Sequence, residues 1–225
     1  MKKLAFLFLA AAICCAAPAK AQVLNFDGIA GCEVSVGNYY NGGTAGDGSG
    51  PGPNLGIVFS SNAITLQDFF AGGGSACNQV SNTGNMPSPP MGLFFLSGSA
   101  ATMDVATGFT TGFSFFYTAA NVPGSISVWS GLDGTGIELA SLALPTNDSS
   151  CVTTPTFCNW DPIGVTFSGT AESVNFGGSA NQVVFDNITL NSSTPGTTPE
   201  PSTLVQIGTG LIGLAGALRR KLWKA

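Results

Sequence analysis

Residues 125–144 read SISVWSGLDGTGIELASLAL, two runs with small and apolar side chains on either side of Gly131-Leu132-Asp133-Gly134-Thr135-Gly136. In the first run Ile126 and Val128 alternate with Ser127 and Trp129. That period of two puts one set of side chains on each face of a strand. The Asp-Gly pair between the runs suits a tight turn whose central residues take positive φ. The stretch therefore predicts an antiparallel hairpin.

Working outward, the same pattern of short apolar or alternating runs recurs at 23–27, 33–40, 55–60, 63–68, 91–96, 102–106, 112–117, 163–167, 172–176 and 182–190. Gly, Ser, Thr and Asn punctuate them. Between Gln22 and Ser193 no stretch sustains a 3.6-residue apolar period, so the expectation is an all-β fold, a two-sheet β-sandwich. Residues 41–54 (NGGTAGDGSGPGPN) and 72–90 read as long loops, the usual place for a binding surface on a rigid scaffold.

Charge narrows the chemistry. All seven basic residues, Lys2, Lys3, Lys20, Arg219, Arg220, Lys221 and Lys224, lie near the two ends, and the chain has no His. Of its 12 carboxylates only Glu200 lies in the tail, so the body carries eleven and nothing to pair with them. Nucleic acid is an implausible partner for the body, because none of its side chains can neutralise phosphate. Ser-His-Asp triads, Cys-His dyads, phosphate loops with an essential lysine and His-ligated metals are excluded on the same ground.

The ends read as targeting segments. Lys2 and Lys3, an apolar run over 4–17 and Ala19-Lys20-Ala21 form a secretory signal peptide over 1–21, cut by signal peptidase before Gln22. At the other end, Pro199-Glu200-Pro201 precedes an uncharged apolar run over 202–218 and the basic cluster Arg219, Arg220, Lys221 and Lys224. As a helix, that run at ~1.5 Å per residue is about 26 Å long, enough to cross a membrane with help from snorkelling cations and Trp223. The positive-inside rule leaves the basic end in the cytoplasm and the body outside. Gly208, Gly210 and Gly213 fit a dinucleotide-binding pattern, but no strand precedes them. Residues 192–198 (SSTPGTT) read as a linker between a body at 22–191 and the tail at 199–225, holding the domain off the membrane.

Triplet, apolar helix and basic cluster in that order resemble the PEP-CTERM sorting signal of Gram-negative bacteria. The resemblance implies recognition by an exosortase-type transpeptidase, with cleavage near the triplet. It implies export across the inner membrane, transient anchoring, and a final place in the envelope or outside the cell. The body, through YYNGG (39–43), GFTTGFSFFY (108–117), VWSGLDGTG (128–136) and FDNITL (185–190), resembles PEP-CTERM ectodomains with a lectin-like jelly-roll appearance.

Four cysteines remain after signal removal, Cys32, Cys77, Cys151 and Cys158. An even count in an exported chain reads as two disulfides. Three connectivities are open; the local one, Cys32 with Cys77 and Cys151 with Cys158, is favoured. Trp129, Trp160, Tyr39, Tyr40 and Tyr117 are candidates for stacking on sugar rings, with a core role as the alternative for each.

In Val184-Phe185-Asp186-Asn187-Ile188-Thr189-Leu190, strict alternation puts Asp186 on the face of Val184, Ile188 and Leu190. A carboxylate sent into a core that lacks any cation needs backbone donors, a bulge that turns it out, or a hard metal ion. Ca²⁺, abundant outside cells and frequent in jelly rolls of similar appearance, is the expectation, with Asp186 and Asp27 as ligands. The function expected is a non-catalytic envelope or extracellular-matrix protein, structural or bound to extracellular polysaccharide. The alternative is a surface polysaccharide hydrolase using two carboxylates.

Overall fold

The computed structural model describes residues 21–70, 83–147 and 157–196. Residues 1–20 of the signal peptide, Cys77, Cys151, the Pro199-Glu200-Pro201 triplet, the apolar run and Arg219, Arg220, Lys221 and Lys224 lie outside the described residues. Among the described residues no helix is long and apolar enough to cross a membrane.

Among the described residues eleven strands form two antiparallel sheets: β1 (Gln22–Leu24), β2 (Ile57–Phe59), β3 (Ile64–Gln67), β4 (Met91–Phe94), β5 (Ala100–Phe109), β6 (Gly112–Ala119), β7 (Gly124–Trp129), β8 (Glu138–Leu144), β9 (Asp161–Thr166), β10 (Ala171–Gly177) and β11 (Val183–Leu190). One sheet runs β3-β4-β11-β6-β9, with β1 also on β11; the other runs β2-β5-β10-β7-β8. The last eight strands pair as nested ribbons, β4 with β11, β5 with β10, β6 with β9 and β7 with β8. That nesting, split between two sheets, is a jelly roll. The hairpin read from residues 125–144 is the innermost ribbon, with Asp133 at φ 55 and Gly134 at φ 66 in its turn.

Alternation explains why the sheets face each other. Ile126 and Val128 of β7, Val174 and Phe176 of β10, and Ala101, Met103 and Val105 of β5 are buried in one core with Phe113, Phe115 and Tyr117 of β6. Phe176 from one sheet meets Phe185 from the other at a ring-centroid distance of 4.9 Å, and Phe185 meets Phe115 at 5.6 Å. Edge-to-face rings of this kind add to the burial that closes the sandwich.

The run at 33–40 is the one expected strand that does not form as a strand; Ser35 makes only an isolated bridge to Ile64. Gly37 at φ 47 and the hydrogen bond that the Tyr39 amide donates to the Val36 carbonyl turn the chain there, so alternation breaks. Residues 192–196, read as a spacer, are packed on the body: Ser114 Oγ donates to the Ser192 carbonyl at 2.9 Å and the Gly196 amide donates to Thr189 Oγ1 at 2.9 Å.

Candidate functional site

The two outer faces of the sandwich differ. On the six-stranded sheet, Leu66, Ser114, Thr118, Val184 and Asp186 are all buried. Leu66, Phe94, Ala120, Phe157 and Val184 form a second apolar cluster there, against which Cys32, Ile64 and Trp160 pack. The five-stranded sheet is the open one. Val58, Thr102, Asp104, Asn175, Ser127 and Trp129, which alternate with its core residues, all keep contact with solvent.

The tip of the β7–β8 hairpin folds back onto this open face. The Asp133 amide donates to Asp104 Oδ1 at 2.8 Å, the Gly134 amide donates to Ser173 Oγ at 2.9 Å, and Ser173 Oγ donates to the Gly131 carbonyl at 2.5 Å. Thr102 Oγ1 donates to Asn175 Oδ1 at 2.9 Å. Burial holds the Asp104 carboxyl above the usual carboxylate range, and the neighbouring Asp133 carboxylate adds to that against the amide donor. Trp129 lies half-buried on the same face, across from Ser173 on β10 and Glu138 on β8. The arrangement is an aromatic ring beside hydroxyls, an amide and carboxylates.

A second cluster of carboxylates holds Asp68 and Asp186 buried and Asp27 half-buried. Among residues 86–91 (MPSPPM) the prolines at 87, 89 and 90 leave three backbone N–H donors. Each goes to a carboxylate: Met86 to Asp68 Oδ2 at 2.9 Å, Ser88 to Asp186 Oδ2 at 2.6 Å, and Met91 to Asp27 Oδ1 at 3.4 Å. Ser88 Oγ also donates to Asp27 Oδ2 at 2.7 Å, so one serine ties Asp27 to Asp186. Burial raises Asp27 to about 6, against the Ser88 and Met91 hydrogen bonds. Burial also lifts Asp186 well above the usual range, and the charges of Asp27 and Asp68 push the same way.

Asp27 and Asp186 therefore meet where the first and last strands run together, as expected. The face of Asp186 differs, because the ladder to β6 is shifted between Asp186 and Thr189 and Asn187 takes φ 48. This bulge leaves Ile188 and Leu190 in the inter-sheet core with Val183 and Phe185, while Val184 belongs to the outer cluster. The Asn187 amide donates to Asp186 Oδ1 at 2.6 Å, so all four oxygens of the pair already face a hydrogen donor. Among the described residues no group of three or more Asp, Glu or Cys is placed to hold a metal ion. The four oxygens are thus those of hydrogen-bonded carboxyls.

The aromatic candidates separate. Tyr39 and Tyr40 are 8% and 4% exposed and stack edge-on at 5.1 Å, and Tyr40 Oη accepts the Phe26 amide. They are core residues and offer no ring face to a sugar, a correction that follows from the turn at 33–40. Tyr117 is also in the core. Trp160 donates its indole N–H to the Gly84 carbonyl at 2.9 Å and packs on the outer cluster, which leaves Trp129 on the open face. Cys32 and Cys158 are both disulfide-bonded. Sequence reading missed Asp68, Ser88 and the Asp104–Asp133 pair. The Pro spacing in 86–91 was a usable signal for the loop, though not for its partners.

Residues 197–221 match the model of the PEP-CTERM protein-sorting motif. No curated protein is similar enough in sequence to match. Among solved structures, the chain is similar to the carbohydrate binding module CBM6cm-2 of Cellvibrio mixtus lichenase 5A in complex with cellotriose, at 10% identity over 59% of this chain and 88% of that one, TM-score 0.36. It is similar to TmCBM61 in complex with β-1,4-galactotriose, at 12% identity over 60% of this chain and 86% of that one, TM-score 0.34. It is also similar to the K3 adhesin domain of Lys-gingipain from Porphyromonas gingivalis W83, at 14% identity over 78% of this chain and 93% of that one, TM-score 0.32.

Proposed function

We propose that this chain is an exported, non-catalytic surface protein, sorted through its C-terminal motif, whose sandwich binds polysaccharide through the open face of the five-stranded sheet. The matched motif supports export, exosortase processing and transient anchoring by the tail. The signal peptide, cleaved before Gln22, and the disulfides Cys32 with Cys77 and Cys151 with Cys158 belong to the same reading.

The observation that carries the binding site is the contrast between the faces: loops bury one sheet's outer side, while the other presents Trp129 among Ser127, Thr102 and Asn175. A pyranose offers an apolar C–H face to an indole and hydroxyls to such polar groups. The setting of these two carboxylate pairs favours binding over hydrolysis. Glycosidases hold their two carboxyls roughly 5 to 9.5 Å apart across the substrate. Asp104 and Asp133 instead share a direct hydrogen-bonded contact, and Asp27 and Asp186 are tied together by Ser88 with Asp186 fully buried, so neither pair stands open across a cleft.

Residues 22–196 are to be run by affinity electrophoresis through a panel of soluble polysaccharides, followed by a reducing-end assay on each. The expected result is retardation by at least one polysaccharide, lost at least tenfold in Trp129→Ala, with no release of reducing ends. Retardation unchanged in Trp129→Ala removes the site, and reducing-end release establishes the hydrolase.

A further inference from the structure

The chain does not leave the sandwich at the end of β11. Asn191, at φ 63, turns it back; its Oδ1 accepts the Thr110 amide at 3.0 Å and its carbonyl accepts Thr111 Oγ1 at 3.0 Å. Ser192 then accepts Ser114 Oγ, and its own Oγ accepts the Thr194 amide at 3.1 Å. The Gly196 amide ends the run on Thr189 Oγ1. Ser114 and Thr189 are fully buried.

Glycines make room for this segment. A Cβ at Gly112 would come within 2.7 Å of the Ser193 nitrogen, and one at Gly164 would collide with the Ser193 carbonyl oxygen. At the far end a Cβ on Gly196 would lie 2.6 Å from Val23 Cγ2. Val23 is in β1, so this end of the segment sits against the strand that begins at the expected mature N-terminus.

The sorting motif starts at 197, the next residue. Three Cα steps separate Gly196 from Pro199, a reach of about 10 Å fully extended. An enzyme that cleaves a peptide beside this triplet takes the chain extended in its cleft, and residues upstream of the triplet are the ones docked here. We propose that residues 191–196 are a releasable strap: docked, it fixes Gly196 beside Val23 and limits the reach of the motif to the few residues that follow, and released, it gives the motif the reach that processing requires. Processing then draws on the released fraction, so shifting the strap equilibrium shifts the rate. This rests on the chain being sorted through the matched motif.

The test uses the full chain in a cell carrying the sorting enzyme, with Val23→Cys and Gly196→Cys combined, since their β-carbons fall within disulfide range when the strap is docked. Mass under non-reducing conditions reports both the new bridge and tail removal. The expected result is at least tenfold slower tail removal in the bridged form, the parental rate in Val23→Cys alone, and a rate at or above parental in Gly196→Cys alone, whose Cβ would press on Val23 Cγ2 and loosen the strap. Six Gly/Ser residues inserted after Gly196 of the bridged form should restore the rate. Failure of the cysteines to bridge, parental processing of the bridged form, or no rescue by the insertion each overturns the strap. A chain changed to Ala at Pro199, Glu200 and Pro201 separates the two readings, because its normal processing refutes sorting through the motif whatever the strap does.

Discussion

Acid should stabilise this body. Asp27 moves from 3.8 to about 6 on folding, because burial outweighs the Ser88 and Met91 hydrogen bonds. A carboxyl whose folded value is raised holds its proton in the folded state over a range where the unfolded chain has lost it. Unfolding then releases protons, so stability is fully present below about pH 4 and is lost as pH rises through about 6. The shift corresponds to at most about 3 kcal/mol, and solvent screening of a half-buried group reduces it to about 1–1.5 kcal/mol. Asp186 acts in the same direction. Asp47, held low by Ser49 and Gly31 donors against burial, opposes them only as pH falls below the ordinary Asp value. Thermal unfolding of residues 22–196 at matched ionic strength should show a melting temperature about 3–5 °C higher at pH 4.5 than at pH 7.5. In Asp27→Asn, which keeps an acceptor for Ser88, the difference should shrink to what Asp186 and the general acidity of the body supply. A melting temperature that rises from pH 4.5 to 7.5, or an undiminished pH slope in Asp27→Asn, refutes the reasoning.

Other outcomes follow from the same structure. Phe176→Ala should destabilise by about 3–5 kcal/mol by denaturant unfolding, because it empties the ring contact between the sheets at Phe185 and Phe113. Melting in Ca²⁺ and then in excess chelator should give the same temperature, since the oxygens of Asp27 and Asp186 face N–H and O–H donors; a rise with Ca²⁺ would restore the metal to that pair. Changing Pro199, Glu200 and Pro201 to Ala should leave a full-length precursor in the membrane fraction, read by intact mass.

The sequence by itself determined the class of the fold. Alternation at Ile126 and Val128 and the Asp133-Gly134 turn are local, so the hairpin was legible, as were most of the strands. Composition likewise excluded histidine and lysine chemistry, because an absent side chain can act nowhere. The sorting motif was legible because its order is written along the chain. What only the tertiary structure decided are the contacts between distant residues. Strict alternation aligned Asp186 with Ile188 and Leu190, but one extra residue in a ladder flips every side chain beyond it, and nothing local marks Asn187 as that residue. For Tyr39 and Tyr40 the sequence left sugar stacking and a core role both open, and the turn at Gly37 sends them into the core. Residues 192–196 look like any polar spacer, since the slot that holds them is built by Gly112 and Gly164, which sit far from them in sequence and come close only when β6, β9 and β11 lie side by side.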